Sequence, residues 1–300
     1  SGNTITMNGT GTLTTGGNTL RNFSTSGSGT VTFANATHIL AGNLTLASAT
    51  TITPGTSTIK MTGASATIDA NGKTLANVQI SNASGTVTLQ NTDLTVSTLL
   101  TVDGSGGSLT IDTGRTLTLS ATTGSTLSLA GTITGAGRLT YKTTTNFPTG
   151  GTISSILRFD SSAGNQTIPE RTYGGEVEVY SNNAVDRLDT LATTTAQTIT
   201  INGQLEIISD SITGIGLTGV TNDPNVNISS NVLFTDNTGG SVRILGGSGT
   251  WTVGGDLDID NTGGSSGDFE NLVLTGTSKI LQASDYQAFT NLTVNGTYNF

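Results

Sequence analysis

The chain has 300 residues, only 10% of them charged against about 25% in ordinary domains, with 41 glycines, 4 prolines and no cysteine. The lack of cysteine excludes disulfides, thiol nucleophiles and Cys-ligated metals, and a net charge of −9 argues against nucleic-acid binding and against attraction to anionic lipid. No stretch approaches the run of about 20 apolar residues that a membrane helix needs. Polarity comes instead from Thr, Ser and Asn; Thr with Val and Ile favours strands, while Asn and Gly favour turns. Hydrophobic residues are 33% of the chain, but they alternate in short, evenly spaced runs, which is the pattern of ordered β-structure and not of a disordered tract.

The first segment, "SGNTITMNGTGTLTTGG", alternates Ile5, Met7 and Leu13 with Thr and Gly, and "LRNFST" (20–25) follows. His38, in "NATHIL", is the only histidine, has small and apolar neighbours, and is expected to be structural. At 72–89, "GKTLANVQISNASGTVTL" repeats "GNTLRNFSTSGSGTVTF" of 17–33 with one inserted residue. The phrase is an aromatic or Leu, any residue, Asn, then alternating apolar positions. It returns as "FENLVL" (269–274) and "FTNLTV" (289–294), with "YGGEVEV" (173–179) as a looser copy.

Turn signals every 8 to 12 residues divide the chain into coils of about 20 residues, the range of β-solenoid arrays. In such an array each strand pairs with its equivalent one coil away, at about 4.8 Å, so identical positions stack into ladders. Stacked like charges repel, which accounts for the low charge content. The expectation is an all-β fold, a right-handed parallel β-helix of roughly 13 coils, continuous over 1–300, with less regular stretches at 141–173 and 209–234. An array of β-sandwiches is the alternative.

The two irregular stretches hold three of the four prolines and the cations Lys142, Arg158 and Arg171, so they are where side loops would bind a ligand. Carboxylates recur at short spacing (Glu176 with Glu178, Asp186 with Asp189, Asp256 with Asp258), without an obvious cluster of cations, as exposed strand faces supply them. Trp251, in "GSGTWTV", alternates as an inward core residue would. In "GGDLDIDNTGG", Asp256, Asp258 and Asp260 share one strand face and Leu257 and Ile259 the other. Three outward carboxylates make a calcium candidate, although neither the EF-hand spacing nor the G-G-x-G-x-D repeat is present.

"SGTVTL", "GRTLTLS" (114–120), "GNQTIPERTYGGEVEV" (164–179) and "FTNLTVNGTYNF" (289–300) resemble the repeats of secreted bacterial right-handed β-helix proteins of the adhesin, filamentous-haemagglutinin and autotransporter-passenger type. The resemblance implies an elongated extracellular or cell-surface protein and brings no catalytic residues or cofactor with it. Both ends are written in the repeat's own pattern. The expectation is an excerpt of a longer array, or head-to-tail stacking through Ile5, Met7, Leu13, Leu292, Val294, Tyr298 and Phe300. The functional expectation is a non-enzymatic structural protein, with surface glycans as possible partners. The alternative is a carbohydrate-binding or polysaccharide-degrading β-helix of the tailspike kind.

Overall fold

The computed structural model describes residues 4–120, 124, 126–183, 186–259, 264–282 and 286–299. Among them there is no helix, every strand pairing is parallel, and the coils number about 13. Parallel pairing excludes the sandwich alternative, whose sheets are antiparallel. No helix is long and apolar enough to cross a membrane.

The chain divides into two compact units, Ser1–Thr143 with Gly150–Ser155, and Thr144–Thr149 with Ile156–Phe300. The first unit carries an eight-stranded sheet that runs from Thr4–Met7 to Thr152–Ile153. A three-stranded sheet (Gly11–Leu13, Thr30–Phe33, Thr51–Thr53) and a further ladder from Thr19–Leu20 to Arg138–Tyr141 complete it. The second unit holds a ladder from Ile156–Phe159 to Tyr298–Asn299 and a ten-stranded sheet in which the long strand Ser265–Leu274 joins two arms.

Each coil is short because Gly and Asn end its strands, and it stacks because alternate residues point inward. In Thr58–Met61, Ile59 and Met61 are buried while Thr58 and Lys60 are half exposed. The neighbouring coils repeat the pattern, so Val78 and Ile80 fall in register with Ile59 and Met61. The core is therefore a set of aliphatic columns with few aromatic insertions, such as Phe23 against Phe33 with ring centroids 5.8 Å apart.

Asparagines of the repeat phrase, and others at or just before the starts of strands, join one coil to the next. Asn22 Oδ1 accepts the Asn43 N–H at 2.8 Å, Asn43 Oδ1 accepts that of Thr67 at 3.0 Å, and Asn225 Oδ1 accepts that of Thr250 at 3.0 Å. Asn77 and Asn271 instead donate to carbonyls of the preceding coil, Ser57 at 3.0 Å and Ser248 at 2.8 Å. These bonds satisfy backbone groups where the strands break off. Close coil-to-coil approach at the turns also dictates glycine: a Cβ on Gly85, whose φ is +70°, would lie 1.9 Å from the Ala64 carbonyl oxygen.

Candidate functional site

The second unit holds the chemically richest surface. In Val177–Ser181 the inward residues are Val177 and Val179, and Glu178 stands on the opposite face. The register places Glu178 between Arg158 on one neighbouring strand and Glu206 on the other. The Arg158 guanidinium forms an ion pair with the Glu178 carboxylate and stacks over the Tyr180 ring at 4.3 Å. Carboxylate oxygens of Glu176, Glu178 and Glu206 all lie within 4.8 Å of one another. Glu178 is only 3% exposed, whereas Glu176 and Glu206 are half exposed. The Glu206 carboxylate also accepts a hydrogen bond from Thr235 Oγ1 at 2.6 Å. Burial, a hydrogen bond to Asp210 and the charges of Asp210 and Asp160 push the Tyr180 hydroxyl up to about 12, with Arg158 pulling the other way.

This arrangement corrects the expectation that the short-spaced carboxylates lie on plain solvated faces without cations. Glu178 is buried against Arg158, Asp186 pairs with Arg243 at 2.6 Å, and Asp189, 0% exposed, pairs with Arg187. The physical reason lies in the stacking: Arg158 and Arg243 reach their carboxylates from other coils, so linear spacing hides them, while Arg187 meets Asp189 on the inward face of their own strand. Glu206 escapes a sequence reading for the same reason. Its signal would have been the alignment of "VEVY" (177–180) with "LEII" (205–208) one coil later.

Asp256 and Asp258 do face outward and half exposed, with Leu257 and Ile259 buried behind them; Asp260 lies outside the described residues. Asp256 Oδ1 accepts the Ile280 N–H at 3.0 Å, which ties this strand to the next. Among the described residues the acidic side chains that converge are Glu176, Glu178 and Glu206, a different set from this run.

His38 is fully buried in the first unit, its Nδ1 3.2 Å from Thr15 Oγ1 and its Nε2 3.0 Å from the Ala34 carbonyl. It is a core histidine. Trp251 is 0% exposed, packs edge-on against Phe269 at 5.3 Å and donates its indole N–H to the Gly246 carbonyl at 3.2 Å. The cations of 141–173 serve packing as well: Arg171 lies over the Phe147 and Tyr173 rings at 5.8 and 5.5 Å and donates to the Pro148 carbonyl at 2.6 Å. Within 209–234, Gly214–Thr218 and Asn225–Ile228 keep the ladder, leaving Ile212 and Val220 as its exposed apolar points.

The end strands differ from the interior. Leu292 and Val294 are in register with the buried Leu272 and Leu274 yet remain over a third exposed, as does Phe289 opposite buried Phe269. Ile5, in register with buried Phe23, is likewise exposed. Met7 is half buried, Leu13 buried, and Tyr298 buried with its hydroxyl donating to the Gly255 carbonyl at 2.9 Å. Phe300 lies outside the described residues.

No protein-family model, no curated protein and no solved structure matches the chain.

Proposed function

We propose that this chain is a structural β-solenoid, an extracellular stalk, adhesin segment or fibre subunit without catalytic activity, whose product is length and rigidity. The observation that carries the reading is the unbroken parallel stacking of the coils, in which buried positions such as Ile59, Val78 and Leu100 lie in register one above the next. The edge strands Thr4–Met7 and Tyr286–Val294 carry core-type residues in the same register. Unpaired strand edges with apolar faces are templates for further pairing, and a heterologous contact of this kind builds filaments. A second copy adding head to tail is the occupant this favours.

Lysine on such an edge blocks pairing. The variant Leu292→Lys, at a position already exposed, is expected to fold normally and to remain monomeric in sedimentation velocity at concentrations where the parent chain associates. Equal association of both would remove the end strands from the account.

The Glu176, Glu178 and Glu206 cluster favours a second reading, a surface that binds or cleaves a polysaccharide. Its half-exposed carboxylates can accept sugar hydroxyls, and their separation is near the roughly 5 Å of a retaining carboxylate pair. A screen of polysaccharides for retention and reducing-end release decides it. Activity abolished by Glu206→Gln would establish this reading in place of the first, and inert behaviour across the screen would end it.

A further inference from the structure

The outer face of the eight-stranded sheet in the first unit carries a two-dimensional grid of hydroxyl groups. One column runs through Thr67, Thr88, Thr110, Thr134 and Ser154, and a second through Thr86, Ser108, Thr132 and Thr152. Direct pairings set the register: Thr67 with Thr88, Thr88 with Thr110, Thr110 with Thr134, Ser108 with Thr132, and Thr132 with Thr152. Thr86 and Ser108 are joined through their hydroxyls at 3.3 Å, as are Thr110 and Thr134 at 3.1 Å. None of these nine positions is charged and none is buried. Behind them stands an unbroken apolar layer of Ile68, Val87, Leu89, Leu109, Ile111, Ile133 and Ile153, each at most 2% exposed.

The grid approximates the periodicity of ice. Rungs of a parallel sheet repeat at about 4.8 Å, and residues two apart on a strand at about 6.6–6.8 Å. Tetrahedral water joined at about 2.75 Å repeats at about 4.5 Å between second neighbours, and at about 7.3 Å across its layers. The rung spacing of the hydroxyl grid is therefore about 0.3 Å above the second-neighbour spacing and its two-residue step about 0.5–0.7 Å below the layer spacing, a mismatch of a tenth or less in each direction. Seven of the nine residues are threonines, whose β-branching holds χ1, and the rigid backing removes most of the ordering cost that a flexible polar surface would bear on binding. Charge would organise water around itself instead, and it flanks the grid on the same face, at Asp69 and Asp112, two residues beyond Thr67 and Thr110.

We propose that this face binds ice, by holding water in the lattice arrangement that a growing crystal plane can join. The reading is independent of the stalk or fibre role, since it concerns the side of the coils and not their ends.

The test is single-crystal ice growth and nanolitre osmometry on the purified chain, with Thr88→Lys and Thr110→Lys in the grid and Thr200→Lys on the outward face of the second unit. Faceted crystals and a gap between melting and freezing points are expected for the parent chain and for Thr200→Lys, with loss of both in the two grid variants. Circular dichroism checks that the variants keep the fold. Round, unfaceted crystals with the parent chain would overturn the proposal whether or not any variant folds. So would an equal loss in Thr200→Lys, or activity that survives both grid substitutions in folded protein.

Discussion

Replacing Arg187 with Met is expected to destabilise the coils around it by about 3–5 kcal/mol, read as a lower urea midpoint at unchanged slope. Arg187 is 2% exposed and points inward, and every arm of its guanidinium is used. Nε and Nη2 donate to Asp189, Nη2 also to Gln166 Oε1 at 3.0 Å, and Nη1 to the Ser161 and Tyr180 carbonyls. Asp189 accepts the Gln166 N–H at 2.8 Å as well. Methionine would fill much of the volume but strand a carboxylate in the core, which is why the single change costs more than the pair contributes. The double variant Arg187→Met with Asp189→Leu should accordingly cost much less than the sum of the two single changes.

The same variant should show a pH signature. Burial pushes the Asp189 carboxyl above its ordinary value, while Arg187 and the Gln166 N–H pull it down. Without Arg187 the raised value rises further. A carboxyl whose folded value is raised favours the fold below its unfolded value, and that contribution is lost as pH rises through the folded one. The deficit of Arg187→Met should thus be largest at neutral pH and shrink as the solution is acidified. A deficit independent of pH would mean that the stranded carboxylate is not its source.

Trp251→Ala is expected to cost about 3–5 kcal/mol, the range for deleting a buried aromatic. The cavity would open against Phe269, and the Gly246 carbonyl would lose its indole donor. Because each coil touches chiefly its neighbours, the damage should stay local. Amide exchange should quicken first in Val226–Ile228 and Asn271–Leu274, which flank Thr250–Val253 in register. Uniform loss of protection along the chain would contradict coil-by-coil stability. As the only tryptophan, Trp251 also reports on itself, with a blue-shifted emission expected while it stays dry.

The solenoid was legible because its cause is local. Alternation, turn residues and the Asn phrase are written within single coils, and the same Asn that marks the repeat makes the bond to the next coil. What was not legible depends on which face is inside. "RLDTL" alternates Arg187, Asp189 and Leu191 against Leu188 and Thr190, and polarity suggests that Arg187 and Asp189 point out. In fact they point in and Leu188 is half exposed, because Asp189, Gln166 and two carbonyls together satisfy a guanidinium in the core. Glu206 was hidden in a similar way, since it meets the visible pair Glu176 and Glu178 only through the coil register. Asp256 and Asp258 kept their expected face, but carboxylates converge elsewhere.

The central claim, that coil stacking is itself the function and continues through the end strands, is tested most directly by electron microscopy of the purified chain over a range of concentrations. Unbranched filaments that lengthen with concentration, with a spacing of about 4.8 Å along the filament axis, are the predicted result. Discrete particles of one size at every concentration would contradict it.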